Sequence, residues 1–434
     1  MTFLKINSRI VIKNTERYLL MNIVKLAYYD EFHCVGGRCK DSCCKYWHID
    51  ISQKEYFEYK EMKCSPELRA VMDEAFKEKI NGTDVAFAEM KLKESGNCPF
   101  LDNDSLCTIQ KELGENALCF SCSVFPRLHM KAGSDTVMMS CSPTCCRVTE
   151  LLMSHPEGLK IIETQYDGQD EYINKDLFTL PRLKPDSKEF PYYHGILYTQ
   201  MAILQNRRFT VPERMLILGY FCQKTDEYIK NNEMHKIAPL SEMLLDNEIC
   251  EKITDSLKPK QSDERIASSS VKILYKMYLN ARSSHSPFVS RSFNQFMGRL
   301  AVTSSPIGRI DTNDGDEPNI SFNLEEYGRL TDVFGKIMRE RPYIAENLLV
   351  NLVFSQNIQD GVWTNYFTLA IFYNTLKVCV PTFLNEDFTD EELAVAVTYA
   401  VKLVLNTNLA KSNILVDSMI RKKYSLPYAV FLIC

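Results

Sequence analysis

Glycine is scarce in this chain, and the turns that glycine builds around phosphate groups are missing. Only 16 of the 434 residues are glycine, and Gly36 and Gly37 form the one adjacent pair. No G-x-G-x-x-G, no G-x-x-x-x-G-K-[ST] and no acidic-x-G-x-G-x-G stretch occurs. Such loops bring backbone N–H groups to the phosphates or the adenosine of a nucleotide. Their absence argues against a Rossmann-type dehydrogenase or methyltransferase, and no Rossmann sheet is expected.

Long apolar runs and a strong excess of one charge are also lacking. No run of 18 apolar residues occurs, so no membrane-spanning helix is expected. The net charge of −5 gives no general attraction for nucleic acid or for an acidic membrane. The first 25 residues are basic, but they lack the apolar core and the cleavage site of a signal peptide. We therefore expect a cytoplasmic protein without nucleic-acid or membrane partners, whose cysteines are reduced or bind metal.

The length of the chain predicts two domains. Apolar residues recur at helical spacing through most of the second half, and strand-like alternation is scarce. The predicted fold class is therefore mainly α, with a cysteine-rich, metal-binding N-terminal region packed on a helical C-terminal domain. The predicted boundaries are 1–150 for the cysteine-rich domain and 151–434 for the helical domain.

Local signals predict several helix ends. Three capping boxes mark helix starts, and they are Ser52 with Glu55, Thr210 with Glu213, and Thr389 with Glu392. Gly114 is predicted to end a short helix that begins at residue 108. Residues 65–93 are predicted to be helical with a break near 81–82. Stretches rich in proline and polar residues predict a linker over 180–188 and an exposed loop over 304–319.

What the chain has in excess is cysteine, and the excess is local. Twelve of its sixteen cysteines lie between residues 34 and 146. Their spacing is C-x4-C-x3-C-C, then C-P-F-L-x5-C, then C-x2-C, then C-x3-C-C, beginning at Cys34, Cys98, Cys119 and Cys141. Short spacings allow one loop to present two or three thiolates to a single ion or cluster. A metal site is therefore the first hypothesis for this region.

Three interpretations of these cysteines remain open at this point. A structural zinc site needs four ligands, usually from two C-x2-C pairs or from cysteine with histidine, and Cys119 with Cys122 is the one C-x2-C pair. An iron–sulfur cluster needs four thiolates and tolerates the wider spacings seen here. Inert buried thiols are the third possibility. That interpretation suits the isolated cysteines, which are Cys64, Cys222, Cys250, Cys379 and Cys434. The C-x3-C-x2-C spacing of radical-SAM enzymes is absent.

Residues 32–50 (FHCVGGRCKDSCCKYWHID) resemble the opening of the flagellin lysine N-methylase family, the FliB-like proteins. Further similar blocks lie at 97–101 (NCPFL), 106–109 (LCTI), 113–118 (LGENAL), 122–127 (CSVFPR) and 140–141 (SC). The first three blocks also resemble the broader CxxCxxCC zinc- or iron-chelating superfamily. Two segments of the second half, 204–215 (LQNRRFTVPERM) and 346–351 (ENLLVN), are similar to motifs of the same family.

The resemblance implies a candidate set of metal ligands. These are Cys34, Cys39, Cys43, Cys44, Cys98, Cys107, Cys122 and Cys141. Cys119, Cys145 and Cys146 depart from the family pattern and are not expected to be ligands. Eight thiolates exceed the four that one cluster needs. Either two metal sites exist, or some of these cysteines lie next to the ligands without binding the metal.

The resemblance also implies an activity. It implies a protein-lysine N-methyltransferase that transfers a methyl group from S-adenosyl-L-methionine (SAM) to lysine ε-amines of flagellin. The implied metal centre is an iron–sulfur cluster of the [4Fe–4S] type, with zinc as the alternative. A non-enzymatic zinc- or iron-binding scaffold protein is the rival function, and the missing nucleotide loop favours it.

Four polar residues of the similar segments are candidates for the catalytic cleft. Glu346 and Asn347 are predicted to assist the lysine amine, and Arg207 and Arg214 to hold the carboxylate of the donor. In the alternative interpretation the arginines are ordinary surface residues, and Glu346 and Asn347 pair with neighbouring helices.

Overall fold

A computed structural model gives the fold of this chain. It describes residues 21–133, 135–166, 182–183, 187–188, 190–258, 263–281, 287–304, 320–356, 361–385, 387–405 and 426–434. Most of the predicted linker at 180–188 and nearly all of the predicted loop at 304–319 lie outside these residues. The described part is mainly helical, as predicted, and contains no helix long and apolar enough to cross a membrane.

A five-stranded mixed sheet holds the cysteine-rich region against the helices. Its strands are β1 (Asn22–Leu26), β5 (Arg127–Ala132), β6 (Thr136–Cys141), β7 (Ile161–Gln165) and β8 (Arg182–Leu183). The strand order is β7-β1-β6-β5-β8, with β1 parallel to β6 and antiparallel to β7. All six residues of β6 are buried, so this strand carries no polar alternation that a sequence pattern could detect. The register places Arg127 opposite Cys141.

A small subdomain lies between β1 and β5 in the sequence. It contains α1 (Gln53–Glu61), α2 (Pro66–Glu74), α3 (Thr108–Leu113), α4 (Phe120–Val124) and the strands β2 (Asp50–Ile51), β3 (Phe76–Thr83) and β4 (Ala86–Met90). The prediction of helix over 65–93 is wrong beyond Glu74. The chain there forms a β-hairpin, because Ala88 and Met90 alternate inward and β4 pairs with both β2 and β3.

Twelve further α-helices occur in the described chain. They are α5 (Cys146–Met153), α6 (Tyr193–Leu204), α7 (Val211–Lys230), α8 (Ile237–Met243), α9 (Asn247–Leu257), α10 (Asp263–Ala281), α11 (Pro287–Arg299), α12 (Leu324–Glu340), α13 (Tyr343–Ser355), α14 (Val362–Cys379), α15 (Asp390–Leu405) and the C-terminal α16 (Leu426–Ile433), α5 belonging to the cysteine-rich region. A two-stranded ribbon joins β9 (Thr303–Ser304) to β10 (Ile320–Ser321). Nearly all of α14 is buried, which makes it the central helix of the core.

The local helix signals are confirmed. The side chains of Ser52 and Thr210 accept from the backbone N–H groups three residues later, and the paired glutamates accept in return. Thr389 and Glu392 form the same reciprocal bonds at the start of α15. Gly114 ends α3 with a φ of 85°, a conformation that glycine adopts without strain.

Buried apolar side chains form two clusters. The larger contains the five-stranded sheet together with the helices from α5 onward, and the smaller contains residues between Ile49 and Cys119. Helix α13 joins the sheet to the helices through polar contacts. The hydroxyl of Tyr28 donates to Asn351 of α13, and Asn351 Nδ2 donates to the carbonyl of Cys141 over 3.1 Å. The predicted division at residue 150 stays a prediction.

Candidate metal centre

One cavity gathers most of the clustered cysteines. It has a volume of about 350 Å³ and lies between the small subdomain and the segments around Phe32 and Arg127. Seven cysteines line it, and they are Cys34, Cys43, Cys44, Cys98, Cys107, Cys119 and Cys122. We call this space the cysteine cavity. A volume of this size lies at the lower end of the range of small-molecule pockets.

Backbone hydrogen bonds fix the loops that carry these cysteines. The N–H of Cys98 donates to the carbonyl of Cys44 over 2.8 Å, which joins the first cysteine loop to the second. Cys107 is the residue before α3, and Leu101 forms a β-bridge with it. Cys119 is the residue before α4, and Cys122 lies within that helix. Cysteines that are tens of positions apart in the sequence therefore line the same cavity, because the short helices α3 and α4 begin at its edge.

The lining changes from buried to exposed across the cavity. Cys98 is 7% exposed and Cys119 is 3% exposed, whereas Cys34 and Cys43 are open to solvent. Apolar side chains surround the buried thiols, and these are Ile49, Met90, Phe100 and Ile109. The cavity therefore has a dry end rich in sulfur and a wet end that a molecule can enter.

Two pairs of thiols that are close in space form hydrogen bonds in the cavity. The thiol of Cys43 donates to the sulfur of Cys44, which lowers the pKa of Cys44 to about 6. The thiol of Cys122 donates to Cys119 in the same way and lowers the pKa of Cys119. Burial raises the pKa of Cys98 to about 12. A bound cation would remove the protons of such thiols, because metal coordination stabilises the thiolate far more than a hydrogen bond does.

Six of the eight predicted ligands line the cysteine cavity, and Cys39 and Cys141 do not. Cys141 ends β6 in the large core, where the hydroxyl of Tyr28 accepts a 2.9 Å hydrogen bond from its backbone N–H. Burial raises the pKa of Cys39, and the nearby Cys34 raises it further. Whether any of these cysteines binds metal stays a prediction.

Cys119 is the residue that the sequence analysis set aside and the structure brings into the cavity. Its departure from the family pattern argued against it, yet its spacing to Cys122 is the one C-x2-C pair of the chain. That local signal points to a shared site.

The seven sulfurs surround a space and do not gather at a point. Within the residues that the structure describes, no three cysteine, histidine or carboxylate side chains stand at the separations of a single bound ion. A lone zinc ion needs four ligands at about 2.3 Å, which is a compact arrangement. The lining is rich in thiols, which is the ligand chemistry that an iron–sulfur cluster requires.

Two aromatic contacts continue the lining away from the buried thiols. The rings of Trp47 and Phe125 meet edge to face with centroids 4.5 Å apart. The guanidinium of Arg127 lies 5.1 Å from the ring centroid of Phe32. All four side chains line the cysteine cavity, and Phe125 and Arg127 are two residues apart. We call these four residues the aromatic–arginine wall.

A buried ion pair fixes the first cysteine loop on the helical core. Asp41, between Cys39 and Cys43, accepts from Lys402 of α15. The Lys402 side chain is 7% exposed and the Asp41 side chain is 15% exposed. The neighbouring pair of Lys40 with Glu391 is different, since both of its side chains are mostly exposed and 3.5 Å separates their charged atoms.

Comparison with known proteins decides the family. The profile described as the FliB lysine N-methylase C-terminal domain matches residues 199–424, just over half of the chain. This chain belongs to the FliB lysine N-methylase family. The match includes every described helix from α7 to α15, so the FliB C-terminal domain is the helical part that packs on the sheet.

Three relatives of this FliB-family chain are from Salmonella. Each is 33% identical over 144 residues, which is 33% of this chain. Two are named Lysine-N-methylase, from Salmonella typhimurium and Salmonella choleraesuis, and the match covers 35% of each. The third is named Flagellar biosynthetic protein FliU, from Salmonella muenchen, and the match covers 83% of it. The chain thus spans about a third of the two lysine-N-methylases that it matches. No solved structure matches it.

Within the FliB-family match, Glu346 joins the two candidate arginines. Arg207 Nη2 donates to one carboxylate oxygen over 2.8 Å, and Arg214 Nη1 donates to the other over 2.7 Å. Glu346 and Arg214 are 1% and 3% exposed, whereas the Arg207 side chain is 42% exposed. Both oxygens of the carboxylate are therefore occupied by guanidinium groups. This geometry favours a structural ion triad, and the catalytic and donor-binding roles stay predictions.

Asn347 also makes contacts that hold the fold together. Its Nδ2 donates to the carbonyls of Leu152 and His155, each over 2.8 Å. These bonds join α13 to the end of α5. No described residue bonds its buried Oδ1.

Proposed function

We propose that this chain is a flagellin lysine N-methylase that uses SAM as methyl donor and holds a metal centre, a [4Fe–4S] cluster, in the cysteine cavity. The observation that carries the proposal is the cavity itself, in which seven cysteines meet within a member of the FliB family. The names of the Salmonella relatives support lysine methylation and a flagellar substrate.

The donors for the cluster would come from the cysteines nearest the buried end. Cys98, Cys107, Cys119 and Cys122 belong to the small subdomain, and Cys44 is joined to Cys98 by a backbone hydrogen bond. Any four of these five provide the thiolates that one cluster requires. When bound by four of these thiolates, the cluster would supply a fixed metal centre that holds the cysteine-bearing loops around the cavity. Such a site requires reduced thiols, which supports a cytoplasmic location.

The chain's own residues prepare the lysine by excluding water. A lysine amine attacks a methyl group only when it is neutral, and its ordinary pKa is about 10.4. The apolar side chains of the cavity, among them Phe100, Ile109 and Leu118, disfavour the charged ammonium. Exposed polar groups on the lining, including His33 and Glu115, lie where the released proton can reach water.

The test is an assay of the full chain purified without oxygen. Flagellin and SAM are added, and lysine methylation is measured by mass spectrometry of flagellin peptides. The proposal expects methylated lysines with the native chain and with Cys250→Ser, whose thiol lies outside the cysteine cavity. It expects little or none with Cys98→Ser. A native chain that retains its metal and leaves every lysine unmodified would favour the scaffold function.

A further inference from the structure

None of the functional roles proposed above involves the aromatic–arginine wall. Trp47, Phe125 and Arg127 are half-buried, which leaves part of each side chain accessible from the cavity. The wall is continuous, because Trp47 touches Phe125 and Arg127 stacks on Phe32. It is also adjacent to the thiols, since Cys43 and Cys44 precede Trp47 and Cys122 precedes Phe125 by three residues.

We propose that this wall binds the methionine part of the methyl donor SAM, with the sulfonium against the Trp47–Phe125 pair and the α-carboxylate on Arg127. The inference rests on the proposed function, because it takes SAM as the donor. It adds a position for the donor that neither the family match nor the sequence motifs give.

The aromatic pair suits the sulfonium. A cation is attracted to the face of an aromatic ring, most strongly to that of tryptophan, and the attraction increases when water is excluded. The edge-to-face contact holds the two rings at an interplanar angle of 64°, so the corner between them presents both an edge and a face. The neutral thioether product lacks this attraction, which favours its release after transfer.

Arg127 suits the carboxylate. A guanidinium binds a carboxylate through two parallel hydrogen bonds, and such bonds are stronger than those between neutral groups. The ring of Phe32 supports the guanidinium from one side, and Phe32 is only 4% exposed, so this support is rigid. The pairing of Arg127 with Cys141 in the sheet fixes the backbone beneath it.

The position is consistent with the chemistry of transfer. The neutral lysine nitrogen forms a bond to the methyl carbon as the bond from that carbon to sulfur breaks. The bonding electron pair goes to sulfur, and the positive charge moves from the sulfonium to the methylated amine, which then loses a proton to water. The reaction needs no other reactant. Its methyl carbon would lie beside the apolar lining that keeps the lysine neutral.

The experiment measures binding of SAM and of S-adenosylhomocysteine, which lacks the positive charge, to the metal-loaded full chain by equilibrium dialysis. Arg127→Gln is expected to weaken both about ten-fold or more, because both carry the carboxylate. Trp47→Leu is expected to weaken SAM about three-fold or more and S-adenosylhomocysteine less. Arg38→Gln, an exposed arginine outside the lining, is the matched control and is expected to bind both normally.

Metal content and thermal unfolding of each variant are measured in parallel. If Arg127→Gln does not fold, Arg127→Lys keeps the charge but not the paired hydrogen bonds, and a several-fold loss of both ligands is expected. Native affinity in a folded Arg127 variant, or equal losses of the two ligands in Trp47→Leu, would overturn the inference. Selective SAM binding without methylation of flagellin would leave the inference standing and reject the protein substrate. Methylation of flagellin together with unchanged binding in both variants would support the protein substrate and reject this position for SAM.

Discussion

Glu346 on α13 accepts a 2.7 Å hydrogen bond from Arg214 on α7, and both side chains are almost completely buried. The two residues are 132 positions apart in the sequence. The exposed Arg207 completes the triad on the other carboxylate oxygen. Burial lowers the pKa of Arg214, and the Glu346 carboxylate opposes that effect. A buried charge of this kind depends on its partner.

Glu346→Gln should therefore destabilise the protein before it affects any chemistry. We expect a loss of about 3–5 kcal/mol in the free energy of unfolding, because Arg214 is left buried without its anionic partner. Arg207→Gln is the matched control, and its exposure predicts a loss of about 1 kcal/mol or less. Urea unfolding of the three proteins checks this. Native stability in Glu346→Gln, combined with a ten-fold loss of methylation, would instead favour the catalytic role.

The buried pair of Lys402 with Asp41 should be needed to hold the first cysteine loop. Lys402→Met leaves Asp41 without its partner, and we expect a loss of about 3 kcal/mol in stability together with weaker metal retention. The neighbouring Lys40→Met breaks an exposed pair and should cost about 1 kcal/mol or less. Unfolding curves and the metal content after dialysis measure both effects. Equal results for the two variants would show that the buried pair does not position the loop.

Metal content should separate the cavity cysteines from the isolated ones. Cys98→Ser, Cys119→Ser and Cys122→Ser should each lose metal and stability, because metal binding and folding are coupled. Cys250→Ser and Cys379→Ser should keep the native content, since neither thiol lines the cysteine cavity. Elemental analysis of protein purified without oxygen gives the answer. Cys119→Ser tests whether Cys119 is a metal ligand. Full metal content in that variant would show that it is not, as the family pattern predicted.

Lys377 should give the protein a stability that increases with pH in the alkaline range. Burial in α14 lowers its pKa from 10.5 to about 8, and its Nζ donates to the backbone oxygen of Cys434 over 2.7 Å. Between these two values the unfolded chain binds the proton and the folded chain does not, so the contribution of Lys377 to stability rises with pH. Below pH 8 the buried charge costs stability.

Lys377→Met removes this dependence. At pH 7 the variant should be more stable than the native chain by up to about 3 kcal/mol, less the value of the lost hydrogen bond. The advantage should shrink as the pH rises from about 8 to about 10.5. Denaturant unfolding of both proteins across that range measures the difference between them. A difference that stays constant with pH would mean that Lys377 titrates normally.

Local sequence signals predicted local structure well. The capping boxes at Ser52, Thr210 and Thr389 and the stop at Gly114 depend on residues three or four apart, and each is confirmed. The hairpin after Glu74 was missed because its alanine, glutamate, lysine and methionine residues favour helices. Its strands are fixed by pairing with β2, which the local pattern does not contain.

For the candidate site, too, the sequence predicted what depends on local spacing and missed what depends on packing. Cysteine spacing pointed to a shared site, and six of the eight predicted ligands line one cavity. The resemblance included Cys141 and set Cys119 aside, whereas the cavity is lined by Cys119 and not by Cys141, because this outcome depends on how β6 and α4 pack. The triad around Glu346 and the contact of Trp47 with Phe125 join residues that are distant in the chain, and no spacing rule reveals them.

The most direct test of the central claim is methylation of flagellin by the full chain with and without its metal. The chain is purified without oxygen, divided, and one half is treated with a chelator; both are then incubated with SAM and flagellin, and lysine methylation is read by mass spectrometry. We predict methylated lysines with the metal-loaded half and none with the chelated half, with activity restored when iron and sulfide are returned. Equal methylation by the two halves would contradict a role for the cysteine cavity in the reaction.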